Sequence, residues 1–155
     1  GFLPAGDYNK LTFLMTANGM LGCLSQQQIL RFYNAIAAGG MLSADQSKER
    51  ICSRAVADTL RALLAQDVTE GTLRRMSGPR VSVAGKTGTA YIKPGKEITC
   101  APASTEEPSL WHSTFAGFFP AENPRYTLVV TLVYGNGTTA YAIPGNIAVN
   151  VIKRV

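Results

Sequence analysis

Chemistry in this chain of 155 residues concentrates in Lys86, Thr87, Gly88 and Thr89, at the centre of VSVAGKTGTAYI (81–92). A phosphate-binding loop is the first chemistry to test, because Gly85-Lys86-Thr87 matches the end of GxxxxGK[ST]. That loop requires a glycine at position 80, which is Arg80, and six residues rather than four separate the next candidate, Gly78, from Gly85. It must also open a helix, so that backbone N–H groups converge on the phosphate. TAYIKPG follows instead and reads as a strand ending in a turn. The phosphate reading fails on both counts. What remains is a strand whose edge offers a lysine, two threonine hydroxyls and a glycine.

The surrounding charge favours an anionic ligand there. The net charge is +5, from 15 Lys plus Arg against 10 Asp plus Glu. Most basic residues are scattered near an acid, which argues against a nucleic-acid surface. Between Glu70 and Glu97, however, Arg74, Arg75, Arg80, Lys86, Lys93 and Lys96 occur with no acid among them. Such a run is either a solvated turn or a local positive field.

Other candidates are weaker. His112 is the only histidine; a serine hydrolase using it would need an elbow such as GxSxG, which does not occur. Ser113 is adjacent and would face the other way on a strand, so His112 reads as a half-exposed strand residue beside Trp111. Cys23, Cys52 and Cys100 show neither CxxC spacing nor a histidine at metal-ligand spacing, and their odd number argues against a full disulfide framework. Glu106-Glu107 lie in a Pro/Ser/Thr-rich stretch and read as solvated charges.

The elements that must position the tetrapeptide are legible from periodicity. A hydrophobic fraction of 46% with 16% charged residues excludes a disordered chain. No stretch approaches the roughly 18 consecutive apolar residues that cross a bilayer. The start, Gly-Phe-Leu-Pro, carries no targeting pattern. Residues 1–24 show no period. QQQILRFYNAIAA then reads as a helix, with Ser25 as N-cap, Gln28 in the capping-box position and Gly39-Gly40 as the stop. Its stripe is Ile29, Leu30, Phe32, Tyr33, Ile36 and Ala37. A second helix is expected from Ser53 to about Gln66, with Val56, Leu60, Leu63 and Leu64 inward and Arg54, Asp58 and Arg61 outward. Strands follow at 81–92, 112–119 and 126–134, the last expected to be covered on both faces. Residues 93–110 read as a long loop, Gly135-Asn136-Gly137 as a turn, and about Gly145 to Val155 as a closing helix. Tyr91, Phe118 and Phe119 are expected in the core.

Taken together, VTEGTLRRMSGPRVSVAGKTGTA (68–90) and STFAGFFPAENPRYTLVV (113–130) resemble the C-terminal part of class B penicillin-binding proteins. In that family EGT precedes AGKTGTA, and an S-F-x-G-x-x-P strand leads into the next. SQQQILRFYNAIAAGG likewise resembles the family's T-P-x-Q helix with its N-x-x-A-N-G end. The resemblance runs from Gly19 onward, in the family's order.

It implies an α+β fold: an antiparallel sheet, three strands of it in this chain, packed with helices as part of the serine β-lactamase/penicillin-binding transpeptidase fold. The implied activity is a peptidoglycan D,D-transpeptidase working through an acyl-serine. Lys86 would serve the nucleophilic serine's network, holding positive charge and relaying protons. Thr87 and Thr89 hydroxyls would bind the carboxylate of a stem peptide or a β-lactam. Gly88 would let the peptide lie along the strand with no Cβ in the way. The Thr89 N–H would supply one of two oxyanion donors, each worth roughly 3–4 kcal/mol in comparable sites. No metal or cofactor is implied, and the ligands are stem peptides and β-lactams rather than nucleic acid.

Two of the family's three motifs are missing. No lysine has a serine three positions before it, so S-x-x-K is absent. S-x-N is absent too; Thr16-Ala17-Asn18 only mimics it and sits in the wrong place. Residues 1–155 are therefore expected to be the C-terminal part of one transpeptidase domain, inactive alone and prone to self-associate through open strand edges. The parent would be anchored in the bacterial cytoplasmic membrane and act on its periplasmic or extracytoplasmic face. The alternative is a non-catalytic binding module or pseudoenzyme that uses the same strand edge.

Overall fold

A computed structural model describes residues 9–17, 19, 22–44, 47–71, 73–74, 81–92, 110–134 and 143–155. The expectations for the loop at 93–109, the turn Gly135-Asn136-Gly137, Cys100, Glu106, Glu107, Arg75, Arg80, Lys93 and Lys96, and the Tyr91 side chain, lie outside what is described. In chain order the elements are helices α1 (Lys10–Ala17) and α2 (Gln26–Ala37), strands β1 (Met41–Ala44) and β2 (Ser47–Arg50), helix α3 (Arg54–Thr69), strands β3 (Ala84–Ile92), β4 (Leu110–Phe119) and β5 (Tyr126–Tyr134), and helix α4 (Ile143–Ile152).

The α2 start forms as its sequence dictates. Gln28 N–H donates to Ser25 Oγ at 3.2 Å and Ser25 N–H donates to Gln28 Oε1 at 2.9 Å, closing the capping box. The stop is equally local: Gly40 adopts φ 87° and its N–H returns to Ala35 O at 2.8 Å. A side chain at Gly40 would meet Cys52 O at 2.3 Å, so glycine is required there for conformation and for space. α3 opens on Ser53, whose Oγ accepts from Val56 N–H at 3.2 Å, and runs three residues past the expected end.

Strands β3, β4 and β5 form one antiparallel sheet in that order, and β1–β2 form a separate hairpin. The register is continuous across the sheet: Thr87 opposes Phe115, which opposes Val130, and Lys86 opposes Ala116, which opposes Val129. Opposed residues share a face. One face carries Phe115 and Phe119, which pack with Val83, Leu128, Val130 and, from α4, Ala148 and Ile152. The other carries Ala84 and Phe118, which pack with Ile36 and Tyr33 of α2 and with Leu60 and Leu64 of α3. α3 runs beside the start of β3 and reaches both clusters, because its last turn adds Val68 to the first. α2 and α4 both contact β5, as its two-sided pattern requires, although Tyr126 and Val133 at its ends stay exposed.

Two elements escaped the sequence reading. α1 has no buried residue and so no amphipathic stripe; its only local signal is Asn9, whose Oδ1 accepts from Thr12 N–H at 2.9 Å. The β1–β2 hairpin is too short to show alternation. The buried stripe of α3 is also rotated from expectation. Ala57, Leu60, Leu64 and Val68 face inward, whereas Val56 and Leu63 are exposed. Arg61 is correspondingly not on the wet side. Its side chain is 20% exposed, and Nη2 donates to Glu122 O at 2.7 Å and Ala121 O at 3.5 Å. A guanidinium has five donors to distribute, and the carbonyls of the β4–β5 turn recruit it.

Candidate functional site: the outer edge of β3

Among the described residues no strand pairs with the outer edge of β3. Helix α3 covers its beginning, where Val83, Ala84 and Gly85 are buried, but Lys86 and the stretch Gly88 to Ala90 are exposed. The tetrapeptide thus straddles the point where cover ends and the edge that no described strand pairs with begins.

The glycines explain how the strand is built. A Cβ at Gly85 would sit 2.7 Å from Ala116 O and 2.8 Å from the Phe115 ring. One at Gly117, directly opposite, would sit 2.4 Å from Ala84 O. These two are glycine because the Phe115 ring and the neighbouring strand occupy their space. Gly88 is different: a Cβ there meets nothing within 4 Å. Nothing inside the described chain requires glycine at that position.

Alternation separates the site's functional groups. Lys86 lies on the Ala84–Phe118 face, and Thr87 and Thr89 lie on the Phe115 face. Thr89 and the fully buried Ser113 share a hydroxyl–hydroxyl hydrogen bond of 3.3 Å, so Ser113 orients Thr89. On the opposite face Lys86 Nζ stands 3.5 Å from Asp67 Oδ2. Asp67 was missed in the sequence. The available signal was an acid in the last turn of a helix, where the macrodipole disfavours negative charge.

Asp67 also acts on α2. Burial, and secondly the Asp67 charge, push the Tyr33 hydroxyl above its ordinary value of 10.0. His112, half-buried on β4 between Ala90 and Val133, is pushed below 6.5 by burial. The Glu122 carboxylate is held below 4.5 by its hydrogen bond from Ser82. That bond, with the Arg61 contacts and two 3.0 Å hydrogen bonds from Ala121 N–H to Ser82 O and Oγ, fastens the β4–β5 turn to the segment entering β3. Cys52 is a free thiol. Among the described residues no three His, Cys, Asp or Glu side chains converge to hold a metal ion, and no helix is long and apolar enough to cross a membrane.

A three-stranded antiparallel sheet between helices is an arrangement this chain shares with penicillin-binding transpeptidase domains. The family described as penicillin binding protein transpeptidase domain matches residues 5–153, and the chain belongs to it. The peptidoglycan D,D-transpeptidase MrdA of Acinetobacter baumannii is 33% identical over 81 residues, 50% of this chain and 12% of that protein. The transpeptidase domain of the D,D-transpeptidase FtsI4 from Legionella pneumophila superposes with a TM-score of 0.71 at 29% identity, covering 97% of this chain and 52% of that one. Penicillin-binding protein 2B from Streptococcus pneumoniae shares the fold, with a TM-score of 0.70 at 17% identity over 97% of this chain and 27% of its own. The chain therefore spans about half of a related transpeptidase domain and a small part of the curated relative.

Proposed function

We propose that residues 1–155 are the C-terminal part of a class B transpeptidase domain and supply the substrate-binding strand of a peptidoglycan D,D-transpeptidase. The observation that carries this reading is Gly88: a glycine that the packing of the described residues does not need, between two threonines on an open strand edge. A stem peptide ending in acyl-D-Ala-D-Ala would add to that edge as a short strand, backbone to backbone. Thr87 and Thr89 hydroxyls take its carboxylate, or that of a β-lactam. The Thr89 N–H donates to the developing oxyanion, a charge worth stabilising only in the transition state. Lys86, on the other face, serves the serine from which the acyl-enzyme forms: the serine oxygen bonds to the penultimate D-Ala carbonyl, the terminal D-Ala leaves as the amine, and an amine on a neighbouring stem later displaces the serine.

The serine belongs to an S-x-x-K motif that these residues lack, so the chain alone is inactive. The parent is anchored in the bacterial cytoplasmic membrane and acts on its periplasmic or extracytoplasmic face. That same lack supports a second reading, a non-catalytic module that binds peptides or β-lactams along the same edge. A fluorescent penicillin separates them. The full-length protein should label covalently and the 155-residue chain should not; Lys86→Ala should strongly slow labelling of the full-length protein without unfolding it. Covalent labelling of the short chain would overturn the account of the nucleophile. A full-length protein that binds penicillin without acylation would establish the binding module.

A further inference from the structure

We infer that Asp67 is a positioning residue for Lys86. The inference rests on the role proposed for Lys86 above, and it starts from a residue the helix itself does not want. Asp67 occupies the last turn of α3, where exposed carbonyls disfavour an anion and where α3 supplies no basic residue of its own. The compensating cation comes from the sheet: Lys86 Nζ lies 3.5 Å from Asp67 Oδ2.

The chain around Asp67 is shaped to keep the carboxylate there. Gly71 N–H and Leu73 N–H both donate to Asp67 O, at 3.1 and 3.2 Å, wrapping the segment after α3 around that one residue. Gly71 has no positive φ to explain it. A side chain at Gly71 would instead lie 2.2 Å from Asp67 Oδ1 and 2.8 Å from Asp67 Cα. The glycine leaves the space that the carboxylate fills. The Asp67 side chain is 20% exposed and that of Lys86 48%, so the acid is the fixed member of the pair and the lysine the tethered one.

The tether has a direction. Alternation already sends Lys86 to the face opposite Thr87 and Thr89. A lysine carries about 2 kcal/mol of rotamer entropy, and a half-exposed one left untethered would spend part of its time turned away from the serine it serves. Asp67 holds the ammonium on the α3 side and leaves the hydroxyls of Thr87 and Thr89 to the carboxylate. Its effect should fall on the acylation step rather than on ligand capture.

Two measurements test this. In the 155-residue chain, carbon relaxation of the lysine ε-methylenes should show Lys86 more ordered than exposed Lys153. Asp67→Asn should abolish the difference and Asp67→Glu should restore part of it. In the full-length protein, Asp67→Asn should slow penicillin acylation at saturation by about 1.5- to fivefold, the range for a partly exposed ion pair. The penicillin concentration giving half the maximal rate should stay unchanged. Lys86 equally ordered in Asp67→Asn, or an unchanged saturating rate, would overturn the inference. So would a change confined to the half-saturating concentration, since simple removal of a negative charge strengthens capture of an anion. If Lys86→Ala itself labels normally, it is the role of Lys86 that fails; if Lys86→Ala is slow and Asp67→Asn is not, only the tether fails.

Discussion

Gly85, Gly88 and Gly117 lie within two opposed strands, yet alanine at Gly88 should have the opposite consequence to alanine at Gly85 or Gly117. At Gly117 the new Cβ would sit 2.4 Å from Ala84 O, 2.8 Å from the Phe115 ring and 3.0 Å from Gly85 Cα. Two of these neighbours are backbone atoms in a hydrogen-bonded ladder and the third is a fully buried ring, so none yields cheaply. Overpacking of this kind costs about 1–3 kcal/mol. For a chain of this size that lowers Tm by about 2–12 °C, at 2–4 °C per kcal/mol. Gly85→Ala, with contacts of 2.7 and 2.8 Å, belongs to the same class. Gly88→Ala meets nothing within 4 Å and removes the entropy a strand glycine loses on folding, so it should stabilise by about 0.5–1 kcal/mol. Urea unfolding followed by far-ultraviolet circular dichroism, with the slope m held equal, measures all three. Gly88→Ala should then label more slowly with fluorescent penicillin in the full-length protein although it is the most stable of the set. If Gly88→Ala is destabilised as much as Gly117→Ala, Gly88 is a packing glycine. If it is stable and labels at the parental rate, the ligand does not lie against that edge.

Further outcomes follow from the same contacts. Burial holds the His112 pKa below 6.5, so the folded chain favours the neutral ring. That stability is complete above 6.5 and lost as pH falls through the lower folded value. His112→Gln should flatten the urea midpoint against pH between about 7 and 5, whereas the Glu122 contribution, lost only below 4.5, should persist; an unchanged profile would remove His112 as its cause. Arg61→Met keeps the aliphatic stem but leaves Glu122 O and Ala121 O without their donor, a loss of about 1–3 kcal/mol in the unfolding free energy read from the urea transition; no change would mean that water replaces the guanidinium. The outer edges of β3 and β5 carry no partner strand among the described residues. Sedimentation of the isolated chain should therefore show association that grows with concentration, and a monomer throughout would refute it.

Much of the fold was legible because its signals are local. The Ser25 capping box, the Gly39-Gly40 stop and the β5 alternation each depend on neighbours a few residues away, and each appears where the spacing places it. The missed elements lack that information: α1 buries nothing and the β1–β2 hairpin has four residues per strand. The rotation of α3 was missed for another reason. Leucine and alanine stripes overlap on one helix, and the partner surface selects which is buried. Here Ala57 at 0% exposure lies inward while Leu63 at 56% lies outward.

For the site, the sequence by itself determined the chemical types and their alternation: a lysine to one face of a strand, two threonines to the other, a glycine between, and no serine at S-x-x-K spacing. Tertiary structure alone decided which glycines answer to internal packing, since that depends on the Phe115 ring and on a strand some 30 residues away in sequence. It alone also brought Asp67 to Lys86, 19 residues apart in the chain and 3.5 Å apart in space. Side-chain period is a property of the backbone and can be read along one dimension. Close approach and charge pairing depend on how helices pack against the sheet, and exist only once the chain has folded.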